Sequence, residues 1–375
     1  METREAVIVG AGSAGLATAA LLRRAGVEAL LLEAGSEPGA AWRDRYDRLH
    51  LHTPRLLSGL PGRRIPRGYG RWVSRDDLLA YLRDYAEGLD VRTNVRVERI
   101  ERDGDAWRLD TGQGPLLSRA VIVATGYNGE PFVPDWPGRE GFGGELIHSS
   151  EYRNPAPFRG RDVLVVGAGN SGAEIATDVA EAGAVRSRLS VRTPPQIVRR
   201  ATVGIPAQAI GIAIRHLPPD WVDPISKTQR KLSIPDLAAY GLPRPEHGIR
   251  TAFLATATTP ILDVGIVGAV RRGLVEIVAA VAGFDGAEVL LADGSRIDPD
   301  AVIAATGFRA GLDGLVGHLG ALGPRGLPTH TDGEPALPGL WFVGFLPTLG
   351  GQLREGSIAV AKVAAAVAAS LHAAA

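Results

Sequence analysis

Two stretches of this chain repeat one pattern, and that repeat leaves few folds open. The first is Ala6-Val-Ile-Val-Gly-Ala-Gly-Ser-Ala-Gly-Leu-Ala-Thr-Ala-Ala20, and the second is Val163-Leu-Val-Val-Gly-Ala-Gly-Asn-Ser-Gly-Ala-Glu-Ile-Ala176. Each is a short continuous apolar run, a glycine turn and an alanine-rich helical pattern. Such a run suits a parallel strand buried on both faces. Two further apolar runs end in one shared triplet, Val121-Ile-Val-Ala-Thr-Gly126 and Val302-Ile-Ala-Ala-Thr-Gly307. The order is glycine turn, ATG, glycine turn, ATG. The simplest reading is an α/β protein of two Rossmann-like dinucleotide-binding domains, the second inserted in the first. The first domain is expected at 1–154 and 306–375, the inserted one at 155–305. Prolines fall at the expected crossings, at Pro131, Pro134 and Pro137 and again at Pro155 and Pro157. Residues 201–262 are apolar, rich in Pro and Gly and irregular in period, which suggests a lid or a substrate wall.

Composition narrows the function. The 375 residues balance 41 basic against 41 acidic side chains, so nothing favours nucleic acid or a membrane surface. There is no cysteine, which excludes disulfide staples, thiolate zinc sites and a CxxC redox relay within the chain. No metal site is expected. The uncharged stretch from Ala6 to Leu22 follows Glu2, Arg4 and Glu5 rather than a basic region, and it carries a glycine turn; it reads as strand and helix, not a signal peptide. The alanine-rich tail from Ser357 contains Lys362 and reads as a packed helix rather than a span. A soluble, cytoplasmic protein is expected, with a homo-oligomer left open.

Gly10, Gly12 and Gly15 form GxGxxG between a strand and a helix. The first glycine makes the turn, the second lets backbone approach a pyrophosphate, and the third allows close packing of helix on strand. The helix N-terminus offers free N–H groups to phosphates. The next apolar run, Ala29 to Leu32, ends in Glu33, an acid that can accept hydrogen bonds from ribose hydroxyls. Gly167, Gly169 and Gly172 repeat the turn, with Asn170 and Ser171 inside it, but no acid follows. The next strand leads to Arg192, and a 2′-phosphate needs a cation there, so NADPH is expected over NADH.

Between the turns stands Phe142-Gly-Gly-Glu-Leu-Ile-His148-Ser-Ser-Glu-Tyr152, which is similar to the FxGxxxHxxxY/F signature of class B flavin-dependent monooxygenases. Asp300-Ala-Val-Ile-Ala-Ala-Thr-Gly-Phe308 resembles a later strand of that family. Pro260-Ile-Leu-Asp-Val-Gly265 resembles its plant auxin-forming, indole-3-pyruvate branch, to which bacterial relatives belong. Tyr152, in place of Trp, speaks against the Baeyer–Villiger branch. Many N- and S-oxygenating members carry Asn where Tyr46-Asp-Arg-Leu-His-Leu-His52-Thr-Pro-Arg55 has His52; the auxin-forming branch carries His.

The resemblance implies FAD at the first turn and NADPH at the second. It carries FAD contacts to Trp42, Val97, Thr125, Gly344 and Gln352, and makes Thr306 and Gly307 a backbone crossing beside the cofactors. It gives His52 the catalytic role of ordering the oxygenated flavin. His148 reads as ordering the linker between domains rather than transferring protons. His50 and His52, two apart, lack the third ligand of a metal site. The implied reaction is reduction of FAD by NADPH, capture of molecular oxygen at flavin C4a as a (hydro)peroxide, and oxygenation of a small organic substrate. Oxidative decarboxylation of a 2-oxo acid and N- or S-oxygenation both fit. A flavin reductase serving a quinone or protein partner is the first rival, and a non-catalytic redox-sensing regulator the second.

Overall fold

The computed structural model describes residues 1–345 and 347–373. The chain divides into two compact units, one of residues 1–44, 53–130 and 308 onward, the other of residues 45–52 and 131–307. The expected boundaries near 154 and 306 need correction. Glu145–His148, expected in the first domain, pairs in parallel with Ala301–Ala304 in the sheet of the second unit. Thr306 and Gly307 also belong to the second unit.

The first unit is built on Glu2–Val9, Ala29–Leu32 and Leu116–Val123, which run parallel with Glu2–Val9 in the middle. Ala6 to Val9 are at most 5% exposed, so a continuous apolar run is what a strand covered on both faces requires. Leu116–Val123 is long enough to change partner. Its first half pairs antiparallel with Ala106–Thr111, and its second half pairs parallel with Leu340–Phe342. The core joins Val7, Val9, Leu30 and Val123 to Trp107, Leu315 and Phe345. The C-terminal helix Gln352–Ala373 packs on Ser13–Arg24. Its buried positions, Val360, Val363, Ala364, Val367 and Leu371, recur at helical spacing. It is also the one helix among the described residues long and apolar enough to cross a membrane, with mean hydropathy 1.5.

The second unit carries a fully parallel five-stranded sheet, in the order Glu276–Val278, Arg186–Ser190, Asp162–Val166, Ala301–Ala304, Glu145–His148. Val163 to Val165 and Ala301 to Ala304 are fully buried. A three-stranded antiparallel meander, Val281–Asp285, Glu288–Leu291 and Arg296–Ile297, packs a smaller core around Phe284 and Val289. The segment 201–262 is not irregular. It folds into the helices Ala207–Ile214, Pro219–Ser233 and Ile249–Thr256. Their period was masked in the sequence by Pro224 within the middle helix and by its exposed apolar residues Trp221, Ile225 and Leu232.

Candidate functional site

Each glycine turn sits where a parallel strand ends, the place where doubly wound sheets bind ligands. At the first, Gly10 has φ +106°, and a Cβ there would stand 2.9 Å from the carbonyl oxygen of Ala124 on the neighbouring crossing. A Cβ on Gly15 would collide with the carbonyl oxygen of Gly10. Gly12 is different: nothing lies within 4 Å of its would-be Cβ. The first and third glycines are therefore required by packing, and the second faces open space where a ligand's backbone would lie. The second turn repeats this. Gly167 approaches the carbonyl of Ala305, Gly172 abuts that of Gly167, and Gly169 is open. Neither following helix has a side-chain N-cap, so the first-turn N–H groups face the cradle. Both cradles fit a pyrophosphate.

Around the first turn the structure gathers Glu33, Thr125 and Gly344. Glu33 accepts hydrogen bonds from Ala11 N at 2.8 Å and Gly35 N at 2.7 Å. Four lone-pair sites on a carboxylate leave it capacity for ribose hydroxyls. Thr125 is exposed, and its Cα lies 3.3 Å from the Cβ position of Gly10. The Cβ position of Gly344 lies 3.1 Å from Ala14 Cβ. Trp42, half-buried on the short helix Ala40–Arg43, is tied to the turn through Gly39 N, which donates to Ala11 O at 2.9 Å. Val97 instead lies in the core beside Val95 and Ile100. Gln352 opens the C-terminal helix directly after Gly351.

Around the second turn, Gly167 N donates to Ser190 O at 3.1 Å, bringing the end of Arg186–Ser190 alongside. Arg192, two residues on, is exposed and makes no hydrogen bond or ion pair among the described residues. An unpaired cation at this place suits a 2′-phosphate. Asn170 does not present its side chain to the cradle. Its Oδ1 accepts from Leu262 N at 2.8 Å and its Nδ2 donates to Pro260 O at 3.3 Å, which clips Pro260–Leu262 to the helix start. Ser171 hydrogen-bonds the Tyr46 hydroxyl. Thr306 donates to Phe132 O, and Gly307 O accepts from Phe132 N and from His148 Nε2, so this crossing anchors its own unit.

The signature from Phe142 to Tyr152 is architectural. Phe142 and Phe284 rings meet at 5.1 Å. A Cβ on Gly144 would press on the Phe142 ring at 2.6 Å. His148 is 3% exposed; Nε2 donates to Gly307 O at 2.9 Å, and Nδ1 accepts from Ser150 N at 3.1 Å. Burial pulls its pKa below the ordinary value, against the opposing pull of the Gly307 carbonyl and Glu151. The ring is a neutral latch. Tyr152, 1% exposed, donates to Asp178 at 2.8 Å, and burial pushes its hydroxyl well up.

His52 stands in the second unit with its Nε2 3.0 Å from Glu174 Oε1. Glu174 is only 5% exposed. The Tyr46 hydroxyl, raised by burial first and then by the charge of Glu174, hydrogen-bonds that carboxylate. Arg200 donates to Leu51 O, and burial pulls its guanidinium down to about 10 while the charge of Glu174 opposes the fall. Sequence reasoning missed Glu174, Tyr46 and Arg200. One signal was present: an acid inside the alanine-rich helix of the second turn. An open groove of about 790 Å³ lies elsewhere in this unit, lined by Arg199, Thr202, Ile225, Thr228 and Leu232.

Comparison with known proteins bears on this arrangement. The profile of the pyridine nucleotide-disulphide oxidoreductase family matches residues 7–200. Indole-3-pyruvate monooxygenase YUCCA1 of Oryza sativa subsp. japonica is 38% identical over 328 residues, covering 85% of this chain and 80% of that protein. The probable indole-3-pyruvate monooxygenase YUCCA1 of Arabidopsis thaliana is 35% identical over 314 residues, 82% and 76% of the two chains. A solved double mutant of the flavin monooxygenase from Stenotrophomonas maltophilia matches with a TM-score of 0.75 at 29% identity, over the whole of both chains. The chain keeps the disulphide-oxidoreductase fold yet has no cysteine to act on a disulfide. Two dinucleotide cradles, an acid after one and a cation after the other, and this pattern of identity lead to one conclusion: the chain belongs to the FAD- and NADPH-using flavin monooxygenases of the pyridine nucleotide-disulphide oxidoreductase fold, the group that includes the plant indole-3-pyruvate monooxygenases.

Proposed function

We propose that FAD occupies the first glycine turn and NADPH the second, and that the enzyme oxidatively decarboxylates a small 2-oxo acid. The observation that carries the assignment of the turns is their one difference: Glu33 follows the first, and the exposed, unpaired Arg192 follows the second. An acid would repel the 2′-phosphate that a guanidinium binds. The substrate class follows from the 38% identity to an indole-3-pyruvate monooxygenase. When bound, the flavin supplies oxygen activation and the nicotinamide supplies hydride. The chain's own part is to bind, orient and keep dry. The N–H groups after Gly12 and Gly169 hold the two pyrophosphates. Glu33 and Arg192 hold the riboses apart by charge. His52 offers its ring to the reacting groups.

The net reaction balances as 2-oxo acid, O₂, NADPH and one proton giving the acid one carbon shorter, CO₂, NADP⁺ and water. The test is oxygen uptake by the FAD-loaded enzyme with NADPH across 2-oxo acids, amines, sulfides and ketones. An aryl 2-oxo acid should accelerate uptake and release one CO₂ per NADPH. Uptake driven by an amine or sulfide, without CO₂, would replace this reading with N- or S-oxygenation. No response to any of them, with rapid reduction of a quinone, would make the protein a reductase.

A further inference from the structure

The two glycine turns repeat each other residue by residue until two positions past the last glycine. There the first copy has Ala17 and the second Glu174. Ala17 is fully buried and Glu174 is 5% exposed. The second helix therefore puts a carboxylate where its repeat buries a methyl group. Such a group is kept only where its surroundings compensate it. The charged and titratable groups that face it are His52, Tyr46 and Arg200, with Arg45 acting on Tyr46. Two atoms of this cluster stand out. Glu174 Oε1 and His52 Nδ1 are both buried and both lack a hydrogen bond. Oε1 has His52 Nε2 at 3.0 Å but out of line; Nδ1 has nothing.

We infer that Glu174 is a positioning residue for His52: it holds the ring with the proton on Nε2 and leaves Nδ1 as an acceptor for an N–H or O–H of bound coenzyme or substrate. An ionised carboxylate is acceptor-only, so the ring nitrogen that faces it carries the proton. The buried Arg200 supplies the counter-charge that keeps the carboxylate ionised. A neutral imidazole has one N–H, so the opposite nitrogen can only accept. A buried acceptor without a donor is costly, and a functional partner is the usual reason one is retained. The inference rests on the role given to His52 above.

The first test needs no variant. In FAD-loaded protein with ¹⁵N-labelled histidine, the His52 ring (identified by its loss in His52→Asn) should show protonated Nε2 and unprotonated Nδ1 near neutral pH. A proton on Nδ1, alone or together with Nε2, overturns the inference. The second test removes the acceptor. Glu174→Met should give a mixture of tautomers and release more peroxide without substrate, by NADPH, a proton and O₂ giving NADP⁺ and H₂O₂. We expect kcat of that leak to rise about fivefold or more, with KM for NADPH moving less than about twofold. Glu174→Gln keeps an acceptor oxygen and should return both readouts towards the wild type. Unchanged tautomer and leak in Glu174→Met, or a Glu174→Gln as defective as Glu174→Met, would also overturn it. Should Glu174→Met fail to fold, the wild-type tautomer and Glu174→Gln still decide. The tautomer does not depend on finding a substrate, so failure of the oxygenation panel and failure of this inference are separate results.

Discussion

Single residues separate packing from binding most sharply within one motif. Gly15 and Gly12 belong to the same GxGxxG, yet a methyl group on Gly15 meets the carbonyl of Gly10 and one on Gly12 meets nothing. Gly15→Ala should therefore destabilise the apoprotein, by about 1–3 kcal/mol as for overpacking elsewhere. Gly12→Ala should leave apoprotein stability within about 1 kcal/mol, since its φ of −77° suits any residue, while weakening FAD retention. Thermal unfolding with and without FAD checks both, and a large loss in apo Gly12→Ala would mean that the cradle is not open. Arg192 offers the corresponding test for the coenzyme. With no partner to lose in the free protein, Arg192→Ala should cost about 1–3 kcal/mol in NADPH recognition and leave NADH nearly unchanged. Equal losses in kcat/KM for the two coenzymes would remove Arg192 as the discriminator.

At the scale of elements, the strand Glu145–His148 explains why the FxGxxxHxxxY run is so readable and why it misplaced a boundary. Phe142, Gly144, His148 and Tyr152 are each fixed by a packing or hydrogen-bond constraint on one sheet edge. The motif was legible as a unit, but which sheet it joins depends on pairing with Ala301–Ala304, a contact no local pattern encodes. The helices between 207 and 256 were illegible for a related reason: their exposed apolar residues erase the contrast between faces on which periodicity depends. His148 makes the edge pH-sensitive. Its folded-state pKa lies below the ordinary value, chiefly through burial. Between the two values the unfolded chain binds more protons than the folded one, so stability rises with pH there and is lost as pH falls below about 6.5. His148→Gln, which keeps an N–H for Gly307 but does not titrate, should flatten the acid side of a Tm-against-pH curve. Equal slopes for the two proteins would assign the acid loss to other groups.

The whole molecule is one design used twice, with a separate core and a separate glycine turn in each unit. That duplication made the fold legible from Gly10 to Gly15 and Gly167 to Gly172 alone, because a buried strand, a turn and a helix in fixed order admit few alternatives. The surroundings of His52 were not legible. Tyr46, Glu174 and Arg200 lie far apart in sequence, and only tertiary structure brings them together. Two separate cores also imply that the two cofactors can be lost one at a time. Gly169 faces open space as Gly12 does, so a side chain at either position fills a cradle without disturbing the fold. Gly169→Val protein should remain yellow, and after chemical reduction its flavin should still be reoxidised by oxygen, but NADPH should no longer reduce it at a useful rate. Gly12→Val protein should be colourless yet still be retained on immobilised 2′,5′-ADP and eluted by NADPH. The crossed outcome, with Gly169→Val losing flavin and Gly12→Val losing affinity for the 2′-phosphate, would exchange the two assignments. Loss of both ligands in either variant, with Tm unchanged, would show that the sites are not independent.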